Sequence, residues 1–353
     1  MENEVRKVFE EAVNIPIVEI KKLNGLSNHV FSITTTVDKR YIFKILNERF
    51  DPFKSLERKL MKYVCSLYES PLYDVPKYRI SKMLSCKDMT LPEIMTPTNR
   101  RLIMRQVANF NNIKKMKTER PNFFYILDNY NSEMMQRIKE NLDTAEPNLK
   151  AELEYQMVVV NKLCAQLKKK VKFEEMVFSH NDLFHRNILF DLENKCFHLI
   201  DYEYIGYNPF GMDVFQFINE WLIDYSFPSK PYFKLKFENY PSSNEIRDLI
   251  RFYLYFYQNT EKSKNRRDDI DLISEVKNSE EFKNIKESEI DKIHNLFPYF
   301  GMITNIYWFY WGIYMCSMEG INFDYFEFSK TKYEMIKIFA NQFGDDEIVS
   351  LLA

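Results

Sequence analysis

The segment Val177–Leu189, Val-Phe-Ser-His-Asn-Asp-Leu-Phe-His-Arg-Asn-Ile-Leu, constrains the fold more than any other stretch of the chain. An apolar run enters it, an apolar run leaves it, and polar side chains crowd between them. Short β-branched and aromatic runs bounded by polar residues read as strands. The segment is therefore strand, loop, strand, and its loop holds Asp182 and Asn187 five positions apart. A further apolar run, Cys196-Phe-His-Leu-Ile200, delivers Asp201 fourteen positions after Asn187.

One carboxylate to take a hydroxyl proton, plus an amide and a second carboxylate on Mg²⁺, is what phosphoryl transfer requires. Oxygen ligands suit a hard cation that keeps part of its water shell. The spacing His180-x-Asp182-x₄-Asn187 repeats the catalytic loop of kinases, with Asp201 in the later metal-binding position. A lone His-x-Asp arises often by chance. The Asn at the right interval and the strand-end Asp make this instance specific.

A second piece lies in Tyr41-Ile-Phe-Lys-Ile-Leu46. On a strand Ile42, Lys44 and Leu46 share one face, and Tyr41, Phe43 and Ile45 the other. A cation between apolar neighbours calls for an anionic partner. Glu57, on the amphipathic helix expected over Phe53–Tyr68, and the phosphates of ATP are the two candidates. The turn Leu23-Asn-Gly-Leu-Ser-Asn28 could fold over phosphates through its backbone N–H groups and Ser27, or be an ordinary hairpin.

Composition removes other classes. The 49 Lys+Arg against 51 Asp+Glu give a formal charge of −2, which argues against broad electrostatic binding to nucleic acid or anionic lipid. Only 7 glycines are present, so a triple-glycine phosphate loop is excluded. Five cysteines without a Cys-x-x-Cys spacing, behind a charged and polar N-terminus, point to unpaired thiols in a reducing cytoplasm rather than disulfides or zinc. Phe297–Met318 runs 22 residues without a charge, long enough to span a bilayer. It also contains Pro298, Gly301, Thr304, Asn305 and Gly312, and its bulk is aromatic, so a buried, aromatic-walled helix is expected and no stable membrane insertion.

Periodicity lays the chain out in two lobes, with boundaries expected at 1–86 and 87–353. A helix over Glu4–Val13 precedes strands over Val18–Leu23, Val30–Val37 and Tyr41–Leu46, then the helix over Phe53–Tyr68 and short strands at Tyr78–Ile80 and Lys82–Leu84. Long helical patterns follow over Thr98–Lys117, Phe124–Leu142 and Leu149–Lys170. Strands at Met176–Ser179, Ile188–Asp191 and Cys196–Ile200 lead to helices that run to the end. The charged stretch Asn259–Lys292 reads as a solvated helical excursion without chemistry. The fold class is α+β: a small antiparallel sheet with one helix, then a large, mainly helical lobe. A ligand is expected in a cleft between two such lobes.

Ser179-His-Asn-Asp-Leu-Phe-His-Arg-Asn-Ile-Leu189, Leu199-Ile-Asp-Tyr-Glu-Tyr-Ile-Gly-Tyr-Asn208, Asp213 and Asn219-Glu-Trp221 resemble the choline/ethanolamine kinases. These belong to the protein-kinase-like group that includes the aminoglycoside phosphotransferases. The likeness extends from Asn24 through Trp308–Trp311. It implies Asp182 as general base, Asn187 and Asp201 as Mg²⁺ ligands, and Lys44 with Glu57 ordering the phosphates of ATP beside the turn of Gly25, Ser27 and Asn28. It also implies that Asp213 anchors the catalytic loop and that Asn208 and Glu203 brace it. Protein kinases are the poorer match: Tyr-Glu-Tyr follows Asp201 where they carry Phe-Gly, and no segment ends in Ala-Pro-Glu.

The quaternary ammonium of choline cannot donate hydrogen bonds, so its recognition needs aromatic faces and a carboxylate. Trp308 and Trp311 share a helix face at a spacing of three. The resemblance implies a cage of Trp308, Trp311, Tyr204 and Tyr225, with Phe328 in the wall and Glu220 supplying the charge. It further implies choline phosphorylation, the first step toward phosphatidylcholine, and a homodimer. Three residues depart from the family pattern beside Asn24: Arg186 stands where Gly is usual, Lys44 where Arg is frequent, and Phe328 where a Tyr is expected. Ethanolamine kinases share the Trp-x-x-Trp pair, so ethanolamine, or both substrates, stays open, as does a silent scaffold for a nucleotide or quaternary amine.

Overall fold

Alternation in the first ninety residues builds one antiparallel sheet. Its strands are Ile17–Leu23 (β1), His29–Thr35 (β2), Arg40–Ile45 (β3), Tyr73–Asp74 (β4) and Tyr78–Lys82 (β5), in the order β1-β2-β3-β5-β4. They are seen in a computed structural model that describes residues 1–23, 25, 27–46, 71–113, 132–170, 173, 175–263, 267–318 and 320–353. Every second residue of the inner strands points one way: Phe31, Ile33, Tyr41, Phe43 and Ile80 are buried together. Val5 and Phe9, one helical turn apart on Glu2–Val13 (α1), close that core. Glu4 ties the helix down, accepting from the Tyr78 hydroxyl at 2.6 Å and pairing with Lys77 at 2.9 Å.

The sequence suggested two strands at Tyr78–Ile80 and Lys82–Leu84. The structure makes one of them, because Ile80 pairs with Phe43 and Lys82 with Tyr41 in unbroken register. The helix expected over Phe53–Tyr68, with Glu57, lies outside the described residues. Residues Met1–Lys87 together with Tyr202–Tyr204 make one compact unit, and Asp88–Asp201 with Ile205–Ala353 the other.

After Cys86–Asp88 (β6) the chain enters the second unit. Here Met176–Ser179 (β7) pairs with Gly206–Pro209 (β10), and Ile188–Asp191 (β8) with Cys196–Leu199 (β9), all antiparallel. β10 was not anticipated: Gly-Tyr-Asn-Pro reads locally as a turn, and only pairing with β7 extends it. The main helices are Pro97–Asn111 (α2), Ser132–Leu142 (α3), Pro147–Lys170 (α4), Met212–Asn219 (α5), Ser243–Gln258 (α6), Phe297–Met315 (α7) and Tyr325–Phe343 (α8). α2 starts where the Thr96 hydroxyl accepts the Asn99 N–H at 3.3 Å and Pro97 takes the first helical position. It ends at Asn111 rather than the expected Lys117. Arg100 and Arg101 join it to α6 through Glu245 at 2.9 Å and Asp248 at 2.7 Å.

The uncharged run is indeed interior: every residue of α7 except Pro298 is buried. α8 can pack on it because α7 lacks side chains at two points. A Cβ on Gly301 would sit 2.2 Å from the Phe339 ring, and one on Gly312 2.2 Å from the Ser329 hydroxyl. Among the described residues no helix is long and apolar enough to cross a membrane.

Within Asn259–Lys292 the described residues form short helices, Thr260–Ser263, Ile270–Asn278, Glu280–Lys283 and Glu287–His294, but the stretch is more than a solvated excursion. Leu272, Ile273, Val276, Phe282, Ile285 and Ile290 are buried. So is Asp268, which pairs with Arg105 of α2 at 2.8 Å and accepts the Phe197 N–H at 2.8 Å.

Candidate active site

Asp213, in the first turn of α5, is fully buried and organises the loop between β7 and β8. Its Oδ2 accepts the His180 N–H and the Asn111 side-chain N–H, both at 2.8 Å, and its Oδ1 accepts the Asn181 N–H at 3.1 Å. Burial pushes its pKa up, and these three donors oppose the rise. Asn111 also donates to the Phe178 carbonyl at 2.8 Å and accepts from the Tyr253 hydroxyl at 2.8 Å. Asn208, from β10, donates to Asn181 Oδ1 at 2.5 Å. Asp213 thus holds the loop backbone, and Asn111, Tyr253 and Asn208 extend the same network to two more helices and a strand.

That anchoring supports strained backbone. Asn181 has φ 69° and Asp201 φ 65°, the left-handed region that costs a non-glycine residue roughly 1–3 kcal/mol. His180 bridges them: its Nε2 lies 3.0 Å from the Ile200 carbonyl, and its Nδ1 accepts the Asp182 N–H at 3.3 Å. Complete burial lowers its pKa to about 4, so the ring is neutral with the proton on Nε2.

Asp182 and Asn187 are in direct contact. The Asn187 amide donates to Asp182 Oδ2 at 2.7 Å and to the Asp182 carbonyl at 3.0 Å. With both N–H bonds so used, the amide oxygen is the atom Asn187 has for a cation. The Ile200 N–H donates to the Asn187 carbonyl at 2.9 Å, which continues the β8–β9 register and sets Asp201 beside Asn187. An amide oxygen and a carboxylate are an all-oxygen donor set that fits Mg²⁺. Arg186, where Gly was the usual residue, is exposed and lies with its guanidinium 5.6 Å from the Phe184 ring centre.

Beyond α5 the chain tightens into one 3₁₀ turn, Glu220–Leu222. Glu220 is 4% exposed and accepts from the Tyr225 hydroxyl at 3.0 Å. Burial and the charge of Glu220 hold the Tyr225 pKa well above its usual value, and Asp182 lies near enough to add to the shift. Tyr225 packs on Phe184 at 4.7 Å and on Phe323 at 6.3 Å. Phe323 meets Phe328 at 5.3 Å, Phe328 meets Trp311 at 5.7 Å, and Trp311 meets Trp308 at 5.3 Å. The structure therefore brings Glu220, Tyr225, Phe328, Trp311 and Trp308 into one contiguous group whose Tyr225 end feels Asp182.

The sequence reading overlooked Lys332. It is fully buried on α8, one turn after Phe328, with Nζ 4.9 Å from that ring centre. Among the described residues no acceptor lies within hydrogen-bond distance of Nζ. The available signal was a single lysine inside the apolar stripe Phe328, Ile336, Phe339.

The remaining candidates belong to the first unit. Gly25 occupies the turn between β1 and β2, where a Cβ would come 2.6 Å from the Asn28 carbonyl oxygen. Ser27 and Asn28 both donate to Glu203, at 2.5 and 2.8 Å. Glu203 thus braces this turn. Lys44 sits half-buried on β3 opposite Val30 and Arg79, and Arg79 is paired with Asp74 at 3.1 Å. Tyr204, proposed for the cage wall, is buried and falls in this unit beside Glu203.

A profile of the family described as choline/ethanolamine kinase matches residues 20–337. Choline kinase alpha of Mus musculus is 25% identical over 260 residues, 72% of this chain and 52% of the mouse protein. The chain so spans about half the length of that relative. The solved choline kinase of Cryptosporidium parvum Iowa II superimposes with a TM-score of 0.67 at 19% identity, covering 99% of this chain and 98% of its own. Plasmodium vivax ethanolamine kinase gives 0.66 at 15% identity, covering 94% and 85%. The fold is accordingly the α+β, protein-kinase-like one expected.

Proposed function

The chain belongs to the choline/ethanolamine kinase family, and on that footing we propose that it transfers the terminal phosphoryl group of ATP to the hydroxyl of choline. The products are phosphocholine and ADP, and the reaction opens the route to phosphatidylcholine. The observation that carries this reading is the grouping of an Asp182–Asn187 pair, a part-buried Glu220–Tyr225 pair and a run of rings in one unit.

Asp182 is the base for the substrate hydroxyl, and Asn187 orients its carboxylate through the 2.7 Å contact. Asn187 Oδ1 and the Asp201 carboxylate would hold Mg²⁺, which when bound offsets phosphate charge. Lys44 and the turn of Gly25, Ser27 and Asn28 are assigned to the nucleotide phosphates, with Glu57 completing that set. Trp308, Trp311, Tyr225 and Phe328 offer faces to the trimethylammonium head, and Glu220 its counter-charge. Each ring contact contributes about 0.5–2 kcal/mol, so two or three support micromolar to millimolar recognition. A cytoplasmic setting fits Cys86, Cys164, Cys196 and Cys316, which form no disulfide.

Ethanolamine is the second reading, favoured by Glu220, whose buried carboxylate would accept hydrogen bonds from a primary ammonium. The deciding assay follows ADP release with ATP, Mg²⁺ and, separately, choline, ethanolamine and their mono- and dimethylated intermediates. Choline should be turned over fastest, and Asp182→Asn should lower kcat by about 10²–10⁴-fold. Turnover of ethanolamine alone would replace the first reading with the second. ATP binding without turnover of any of the four would make the protein a silent scaffold.

A further inference from the structure

Lys332 is a cation built into the acceptor side of the site, and nothing in the roles above uses it. Its helix, α8, packs most extensively on α7, which carries no charged residue. The charges that reach Lys332 come instead from Glu220 and Asp182. Its Nζ stands 4.9 Å from the centre of the Phe328 ring, so an internal cation already faces that ring. Burial lowers its pKa to about 8, Glu220 and Asp182 resisting the drop, so the ammonium is charged at neutral pH.

We infer that Lys332 sets head-group specificity: its ammonium competes with the substrate's cationic head for Glu220 and for the Phe328 ring. The inference rests on the proposed phosphorylation of a cationic amino-alcohol. It assigns Lys332 to weakening the attraction of the site for any cation. A head group must then gain its binding from ring contacts as well as from charge, which favours a methylated ammonium that fills the space between rings. Tyr225 keeps its proton and supplies Glu220 with a neutral donor, so Glu220 has a partner even without Lys332.

The test compares choline with its uncharged carbon isostere, 3,3-dimethylbutan-1-ol, on purified wild type, Lys332→Met and Lys332→Arg. Choline is followed by its KM and the isostere by its inhibition constant against choline. Removing a unit charge some residues away across a protein interior should lower the choline KM about tenfold. The isostere's constant should stay within about twofold by the same charge argument, and Lys332→Arg should restore the wild-type ratio. A purely structural lysine would move both ligands together. Should Lys332→Met not fold, Lys332→Gln supplies the uncharged side chain for the same comparison. A choline KM that stays fixed, rises, or shifts in parallel with the isostere overturns the inference while leaving the kinase reading intact. A wild-type protein that turns over neither choline nor ethanolamine overturns both.

Discussion

Replacing Asp213 by Asn should loosen the catalytic loop measurably. Three donors converge on this carboxylate: the His180 and Asn111 N–H groups on Oδ2 and the Asn181 N–H on Oδ1. An amide has one oxygen. In the best placement it keeps the two bonds on one side and turns its own N–H₂ toward the Asn181 N–H. That donor sits in a fully buried residue, and leaving it unpaired costs about 1–3 kcal/mol. The two surviving bonds lose their charge assistance, roughly another 1 kcal/mol together. Relief of a buried charge returns part of this, and burial does push the Asp213 pKa up. The net expectation is a loss of about 1–3 kcal/mol for Asp213→Asn, and more for Asp213→Ala, which abandons all three donors. Denaturant unfolding reads this as a lower midpoint at unchanged slope. Because the freed segment carries the left-handed Asn181 and leads into Asp182, kcat should fall as well. A variant within 1 kcal/mol of wild type and fully active would show that the loop holds its shape without this anchor.

Gly312→Ala should cost about 1–3 kcal/mol by overpacking, since its Cβ would meet the Ser329 hydroxyl at 2.2 Å and the Tyr325 carbonyl at 2.8 Å; a thermal melt unchanged within a degree would argue against close helix packing there. Asp268, raised by burial to about 6 from 3.8, binds its proton more tightly in the folded state. Stability from this group is therefore present below about pH 4 and lost as pH rises through about 6, and Asp268→Asn should remove that decline from the stability–pH curve.

The catalytic loop was legible because its chemistry and its strand boundaries are local. Val177, Phe178, Ile188 and Leu189 announce the strands, and the Asp182–Asn187 interval is set by the loop alone. Composition likewise settled α7: an uncharged, aromatic run carrying two glycines packs best inside a protein. Local reading failed where a neighbour decides. Gly206–Pro209 is a strand only because β7 lies alongside it. Tyr78–Lys82 is one strand because β3 continues the pairing.

The chain's order of residues supplied the candidates for chemistry: Asp182 as a base, Asn187 and Asp201 as oxygen ligands, a lysine and a set of rings. It could not say which cation would be buried among those rings. Lys332 stands in the apolar stripe of its helix, but a stripe alone does not say what its lysine will face. Its burial follows from α7 covering the face on which it stands, and its charge matters because Glu220 and Asp182, far away in sequence, are brought near it. Burial and electrostatics are sums over neighbours in space, so only the folded chain could decide them.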